Sequence, residues 1–224
     1  MGKLEQIAVG VIGTGGMGGM HAENLHARVA NARLAAVSDV DAERAGKIAG
    51  QYGSAAVFTD GAELIRDENV EAVVIASPDP THAPLVLECL KAEKPVHCEK
   101  PLADSAEAAL EVLEAEMGLG RKLVQVGFMR RYDPQHVVVK EAVGSGAIRA
   151  PVVFKGWHRN ADLDPGIDSE WVVLNATIHD IDWLSTIPAL GSGSLPSRTR
   201  KRSRRAALSR SHVVPSMRHL LNQQ

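Results

Sequence analysis

The sequence predicts an α/β protein: a Rossmann-type, doubly wound parallel sheet followed by an incomplete second α/β domain. Three observations carry this reading. A short β-branched run ends in a glycine cluster, the next apolar run closes on an acidic residue, and strand-like and helix-like patterns then alternate as far as Phe128.

Taken in order, QIAVGVI (6–12) is short, apolar and bounded at once by glycine, as expected of a buried strand entering a tight turn. In GTGGMGGMHAENLHA, Gly13, Gly15 and Gly18 form G-x-G-x-x-G ahead of apolar positions at helical spacing. The first glycine suits the turn, the second lets backbone approach a pyrophosphate, and the third lets helix and strand pack closely. The helix N-terminus then offers N–H groups to the anion. Thr14 and Met17, between these glycines, are grouped with them as cofactor-binding.

The run RLAAVSD ends at Asp39, 21 residues beyond Gly18, where a carboxylate can bind the adenosine ribose diol. Its other possible use is as cap of the helix DAERAGKIA. Val40 follows with no Arg beside it, which favours NAD over NADP, although Arg44 keeps the second open.

Strand and helix patterns continue as EAVVIAS and THAPLVLECLKAE, PVHC and SAEAALEVLEAEM, then KLVQVGF. Ligands of such sheets bind beyond the carboxyl ends of the strands. This singles out Gly13, Asp39, Ser77 and the group Cys98, Glu99, Lys100, Pro101. Near a nicotinamide, Lys100 can hydrogen-bond a substrate hydroxyl, stabilise the developing alkoxide and help move its proton. Its alternative is a loop lysine paired with Glu99.

Together GVIGTGGMGGMHAENL, AAVSDVD, VIASPDPTHAPLV, CEKPLA, VQVGFMRRYDP, HRN and IHDID resemble the Gfo/Idh/MocA oxidoreductases, most closely their inositol-oxidising branch, over residues 7 to about 187. The resemblance implies an NAD-binding Rossmann domain over 1–126 and, from 127 to 190, the start of a substrate and oligomerisation domain built on a mainly antiparallel sheet. It implies Lys100 as catalytic lysine and His179 as general acid/base, with Met129, His158 and Asn175 on the substrate side. Ser77 and His82 fall where the family's loop meets the cofactor, and Glu99 at the nicotinamide end. The implied substrate is a polyol or sugar with a ring secondary alcohol, and family members form homo-oligomers.

An unperturbed histidine titrates near ~6.5, which suits proton exchange at neutral pH. In NATIHDIDWLSTI, Asn175 and His179 are four apart and so share one helical face. The inositol-oxidising members usually carry Asp where this chain has Asn175. Asn orients the imidazole but supplies no charge, so a different polyol, or a slower enzyme, is in view.

Composition bounds these readings. With 45% hydrophobic and 23% charged residues, the 224-residue chain has the make-up of a soluble globular protein. Its two cysteines, Cys89 and Cys98, fit neither a disulfide framework nor a metal spacing, which points to a reducing cytoplasm and to no metal site. The N-terminus reads as neither signal peptide nor membrane span.

Residues 191–224 hold eight Lys or Arg and no Asp or Glu, leaving 17 basic and all 27 acidic residues ahead of them. This basic stretch lacks the interleaved aromatics of a nucleic-acid arm, so nucleic acid is not expected as a partner. A solvated tail and an out-of-frame or truncated reading of a longer dehydrogenase are the other interpretations. Ahead of it, past Phe128, only PVVFKGWH reads as a clear strand. Two functions therefore stand: an NAD-dependent polyol dehydrogenase, or an NAD-binding remnant of one.

Overall fold

The computed structural model describes residues 6–53, 56–148, 151–157 and 169–187. The chain divides into two compact units between Gly127 and Phe128. His158 and the basic stretch 191–224 lie outside the described residues.

The first unit is a six-stranded sheet of β1 (Ile7–Ile12), β2 (Ala32–Ser38), β3 (Ala56–Phe58), β4 (Ala72–Ile75), β5 (Val96–Cys98) and β6 (Val124–Val126). All neighbours pair parallel, in the order β3-β2-β1-β4-β5-β6. The chain builds outward from β1 to β3, then crosses to the other side of β1 for β4. The topological switch point therefore falls between β1 and β4, where ligands of doubly wound sheets bind.

Helices α1 (Gly16–Ala27), α2 (Ala42–Tyr52), α3 (Gly61–Arg66), α4 (His82–Lys91) and α5 (Ala106–Gly118) connect the strands. They produce two apolar layers. Val73 and Ile75 of β4 join Val86, Leu90 and Val112 in one cluster, while Ala72 and Val74 join Val9, Val11, Ala22 and Leu25 in the other. The period of two along β4 thus feeds both faces, and all four of its residues are buried. Truncating a fully buried member such as Ile75 to Ala would cost about 2–5 kcal/mol.

Local signals set the helix ends. Asp41 caps α2, its Oδ1 accepting the N–H groups of Glu43 and Arg44 at 3.1 Å each, and Gly53 ends it with φ +68°. The cap is therefore Asp41, which leaves Asp39 for other work. Asp60 caps α3 and Ser105 caps α5. The short edge strand β3 and helix α3 carry no sequence period long enough to announce them.

The second unit begins with a 3-10 turn, Met129–Arg131, and α6 (Pro134–Gly144), which Asp133 caps. After residues 151–157 come α7 (Ser169–Val172), a π-helical turn (Val173–Thr177) and α8 (Ile178–Ser185). Val143, Trp183 and Ile187 form its buried cluster, with Leu184 packed against it. PVVFKGWH is not a strand over its described part, 151–157. It has no neighbour to complete a ladder among the described residues, and Val152 is 95% exposed.

Candidate cofactor and active site

The carboxyl ends of the central strands are held in register by backbone hydrogen bonds. Gly13 N–H donates to Ser38 O at 2.8 Å, Ala76 N–H to Ile12 O at 2.8 Å, and Glu99 N–H to Ile75 O at 2.9 Å. Gly13, Asp39, Ser77 and Glu99, each just beyond its strand, are thereby aligned along one edge of the sheet. Sequence distance becomes spatial proximity here.

The glycine loop divides its labour. Gly13 has φ +85°, and a Cβ there would lie 2.6 Å from Ala76 O and Ser77 N, so the β1 turn presses on the β4 turn at the switch point. A Cβ on Gly18 would stand 1.7 Å from Gly13 O, where no side chain fits. Gly15 and Gly16 meet nothing within 4 Å. No side chain caps α1 at Gly15, so its first-turn N–H groups face accessible space, the setting in which helices bind phosphate. Half-exposed Met17 lies on that first turn.

Thr14 is buried and gives both its donors to one oxygen: its N–H and Oγ1 each lie 2.8 Å from Asp39 Oδ2. Asp39 also accepts Arg44 Nε at 3.0 Å, Arg44 Nη2 at 2.6 Å and Asp41 N–H at 3.0 Å. Burial alone would raise the carboxyl, but these donors outweigh it and hold Asp39 well below the ordinary carboxylate range. It stays an anion at any working pH.

The β4 and β5 loops are tied together by His82. Buried at the start of α4, it places Nδ1 2.6 Å from Pro101 O and Nε2 2.8 Å from Ser77 O. Its imidazole braces the turn that carries Lys100. The Ser77 hydroxyl is 2.6 Å from Thr81 Oγ1, and the Lys100–Pro101 peptide is cis.

Beside Lys100, Glu99 Oε1 lies 2.9 Å from His21 Nε2 of α1 and 4.0 Å from His97 Nε2 of β5. Burial would raise Glu99, yet the bond and charge from His21 hold it below its usual value. His97 is pushed down to about 4, first by burial and then by His21, so it is neutral at pH 7. Burial likewise lifts Cys89 to about 12 and Cys98 beyond it, leaving both as inert thiols.

In the second unit, two sequence motifs meet as ion pairs: Arg130 with Asp180, and Arg131 with Asp182. Arg131 Nε lies 2.9 Å from Asp182 Oδ2 as one arm of a bidentate pair. The Arg131 guanidinium stands 5.3 Å over the Phe128 ring, and Phe128 meets His179 edge-on at 6.4 Å. These contacts fix the N-terminal half of α8, on which His179 sits. Asn175 lies on the π-helical turn, whose i→i+5 bonds make four residues fall just short of one revolution. Met129, on the 3-10 turn, is exposed.

Of the expected site residues, Gly13, Thr14, Gly15, Met17, Gly18, Asp39, Ser77, His82, Glu99 and Lys100 all fall in the first unit at the carboxyl ends of β1, β2, β4 and β5 or on the helix starts that follow. Met129, Asn175 and His179 belong to the second unit. Sequence reasoning did not single out His97, although it stands two residues before Glu99, nor His21, 78 residues before Glu99, which no local pattern links to it. The Arg130 and Arg131 pairs did leave a signal, two basic residues matched to the alternating acids of HDID.

Comparison with known proteins agrees with this geometry. Residues 7–128 match the model of GFO_IDH_MocA, the oxidoreductase family with an NAD-binding Rossmann fold. An inositol 2-dehydrogenase of Rubrobacter xylanophilus is 76% identical over 181 residues, covering 81% of this chain and 52% of that protein. Inositol 2-dehydrogenase 2 of Saccharopolyspora erythraea is 46% identical over 179 residues, 79% of this chain and 53% of that one. Among solved structures, myo-inositol dehydrogenase from Lactobacillus casei, in complex with NAD(H) and myo-inositol, superposes with a TM-score of 0.78 at 34% identity, covering 83% of this chain and 55% of that one. The chain spans about half the length of the curated relatives it matches. With the glycine loop, switch point and strand-end acid all in place, the chain belongs to the Gfo/Idh/MocA oxidoreductase family, built on the NAD-binding Rossmann fold.

Proposed function

We propose that this chain is an NAD-dependent oxidoreductase that oxidises a ring secondary alcohol of an inositol-like polyol or a related sugar. The observation that carries it is the alignment of Gly13, Asp39, Ser77 and Glu99–Lys100 along one edge of the sheet, beside a helix start open at Gly15 and Gly16. The names of the relatives supply the substrate class.

Bound NAD supplies the hydride acceptor. The first-turn N–H groups of α1 hold its pyrophosphate, with Met17 alongside, and Asp39, steadied by Thr14, takes the ribose diol. Ser77 and His82 shape the wall between the β4 and β5 turns, and Glu99 lies toward the nicotinamide. The Asp39 carboxylate repels a 2′-phosphate, which favours NAD over NADP. Lys100 holds the substrate hydroxyl and stabilises the alkoxide as charge develops, and His179 takes the proton. Met129, Asn175 and His158 orient the polyol.

The test is NADH formation at neutral pH with myo-inositol and other polyols, followed by absorbance. Lys100→Met should lower kcat by at least about 10²-fold while NAD affinity stays within twofold. Equal losses in both would remove Lys100 from the chemistry. A second reading, NAD binding without turnover, is favoured by the described residues of the second unit, which form helices and turns and no strand. Tight NAD binding with no NADH from any polyol would select it.

A further inference from the structure

His97 poses a question that the dehydrogenase reading leaves unanswered. It is 6% exposed, its Nδ1 has no hydrogen-bond partner among the described residues, and its Nε2 stands 4.0 Å from Glu99 Oε1, beyond hydrogen-bond reach. Nε2 is the nitrogen that faces Glu99, so a ligand between them would satisfy Nε2 and leave Nδ1 as it is. Around it, one donor atom each from His21, His97 and Glu99 lies within 4.8 Å of the others. The imidazoles of His21 and His97 meet edge-on at 5.5 Å.

We propose that His21, His97 and Glu99 form a binding site for one divalent first-row transition cation of the zinc class, and that an ion there switches the dehydrogenase off. Two imidazoles and a carboxylate are the donor set of three-ligand zinc sites, with a fourth position left to water. Magnesium and calcium prefer all-oxygen shells, so the nitrogen donors select against them.

The distances fit. Bonds of about 2.0–2.1 Å in a tetrahedron separate ligand atoms by roughly 3.3 Å. The observed 2.9 Å from His21 to Glu99 and 4.0 Å from His97 to Glu99 bracket that value. The third edge, from His21 to His97, is within 4.8 Å, so closing the shell asks the two rings to draw together by up to about 1.5 Å between them. The cation would take the place of the hydrogen that His21 Nε2 and Glu99 now share. Gly127 keeps room for it: a Cβ there would sit 3.1 Å from Glu99 Oε2 and 3.2 Å from His97 Nε2.

The consequence for activity rests on the proposed function. The donors come from α1, which follows the glycine loop, and from β5 with the turn that leads to Lys100. An ion would lock Glu99 in a metal bond one residue before the catalytic lysine and fix the two elements that must accommodate cofactor.

The experiment uses the untagged full chain, stripped with chelator and titrated with Co(II), reading the visible ligand-field band of four-coordinate cobalt. One equivalent should produce the band and Zn(II) should erase it. His97→Leu, and separately His21→Gln, should weaken Co(II) affinity at least about tenfold, with folding checked by circular dichroism. No band at tenfold excess of Co(II), or a band unchanged in both variants, overturns the site. Zn(II) should also inhibit NADH formation over the range in which it displaces cobalt, and His97→Leu should keep basal turnover while losing that inhibition. Inhibition that survives in His97→Leu overturns the switch. A chain that makes no NADH from any polyol fails the dehydrogenase reading, while the cobalt band still decides the site.

Discussion

Asp39 accepts five hydrogen bonds before any ligand arrives, and an ionised carboxylate has about four lone-pair sites. A ribose diol must therefore displace a donor. Thr14 is buried and Asp41 donates through backbone, so the group that yields is the half-exposed Arg44 side chain. Arg44→Ala should tighten NAD roughly two- to fivefold, the scale of an exposed ion pair, and weaken NADP by removing the only cation paired with Asp39 among the described residues. Calorimetric titration with both cofactors checks this, and weaker NAD binding in the variant would refute the displacement. The same carboxylate sets an acid-side signature. Its folded value lies below the unfolded 3.8, so its stabilisation is complete above that value and is lost as pH falls through the folded one. The urea midpoint of the wild type should therefore fall more steeply below pH ~4 than that of Asp39→Asn. At this scale the sequence exposed what is local: the glycines, Asp39 and Arg44 lie within one βαβ unit. The pairing of His21 with His97 and Glu99 was invisible because three strands, β2 to β4, intervene in sequence between α1 and β5.

At the scale of elements, the loop joining β1 to α1 separates residues needed for packing from those needed for ligand. Gly18→Ala puts a methyl carbon 1.7 Å from Gly13 O, a backbone clash that no side-chain rotation relieves. It should lower the thermal midpoint by several degrees, as overpacking costs typically 1–3 kcal/mol, and abolish NAD binding. Gly15→Ala meets no protein atom within 4 Å, so its midpoint should move by no more than a degree or two while NAD affinity drops at least about tenfold, because the methyl occupies the pyrophosphate's approach. Thermal melts with and without NAD separate the cases, and equal destabilisation by both would sink the division of labour. The strand at EAVVIAS was readable because it needs only neighbours in sequence, whereas the cap of α2 falls on Asp41 and not on Asp39, the cap that the sequence offered as an alternative. The strand expected at PVVFKGWH failed for the complementary reason: its apolar run suits a ladder, but a strand exists only with a partner. The π-helical turn before His179 was likewise unreadable, since VLNAT carries no mark that distinguishes i→i+5 from i→i+4 closure.

For the whole molecule, charge and structure are distributed differently. Every residue assigned to NAD lies between Gly13 and Lys100, inside a unit whose two apolar layers are complete within residues 7–124. The eight basic residues of 191–224 lie far along the chain from all of them. They could still act through their field, since NAD is an anion. At 0.15 M ionic strength, however, charges more than about 8 Å apart are largely screened. If the basic stretch acts only through its field, deleting 191–224 should leave the NAD dissociation constant within twofold at that salt, with any weakening confined to about 0.01 M, where the screening length reaches about 30 Å. A fluorescence titration at both salts tests it. A fivefold or greater loss at 0.15 M would mean that the basic stretch supplies a direct contact to the cofactor, and the site read from the sheet edge would then be incomplete.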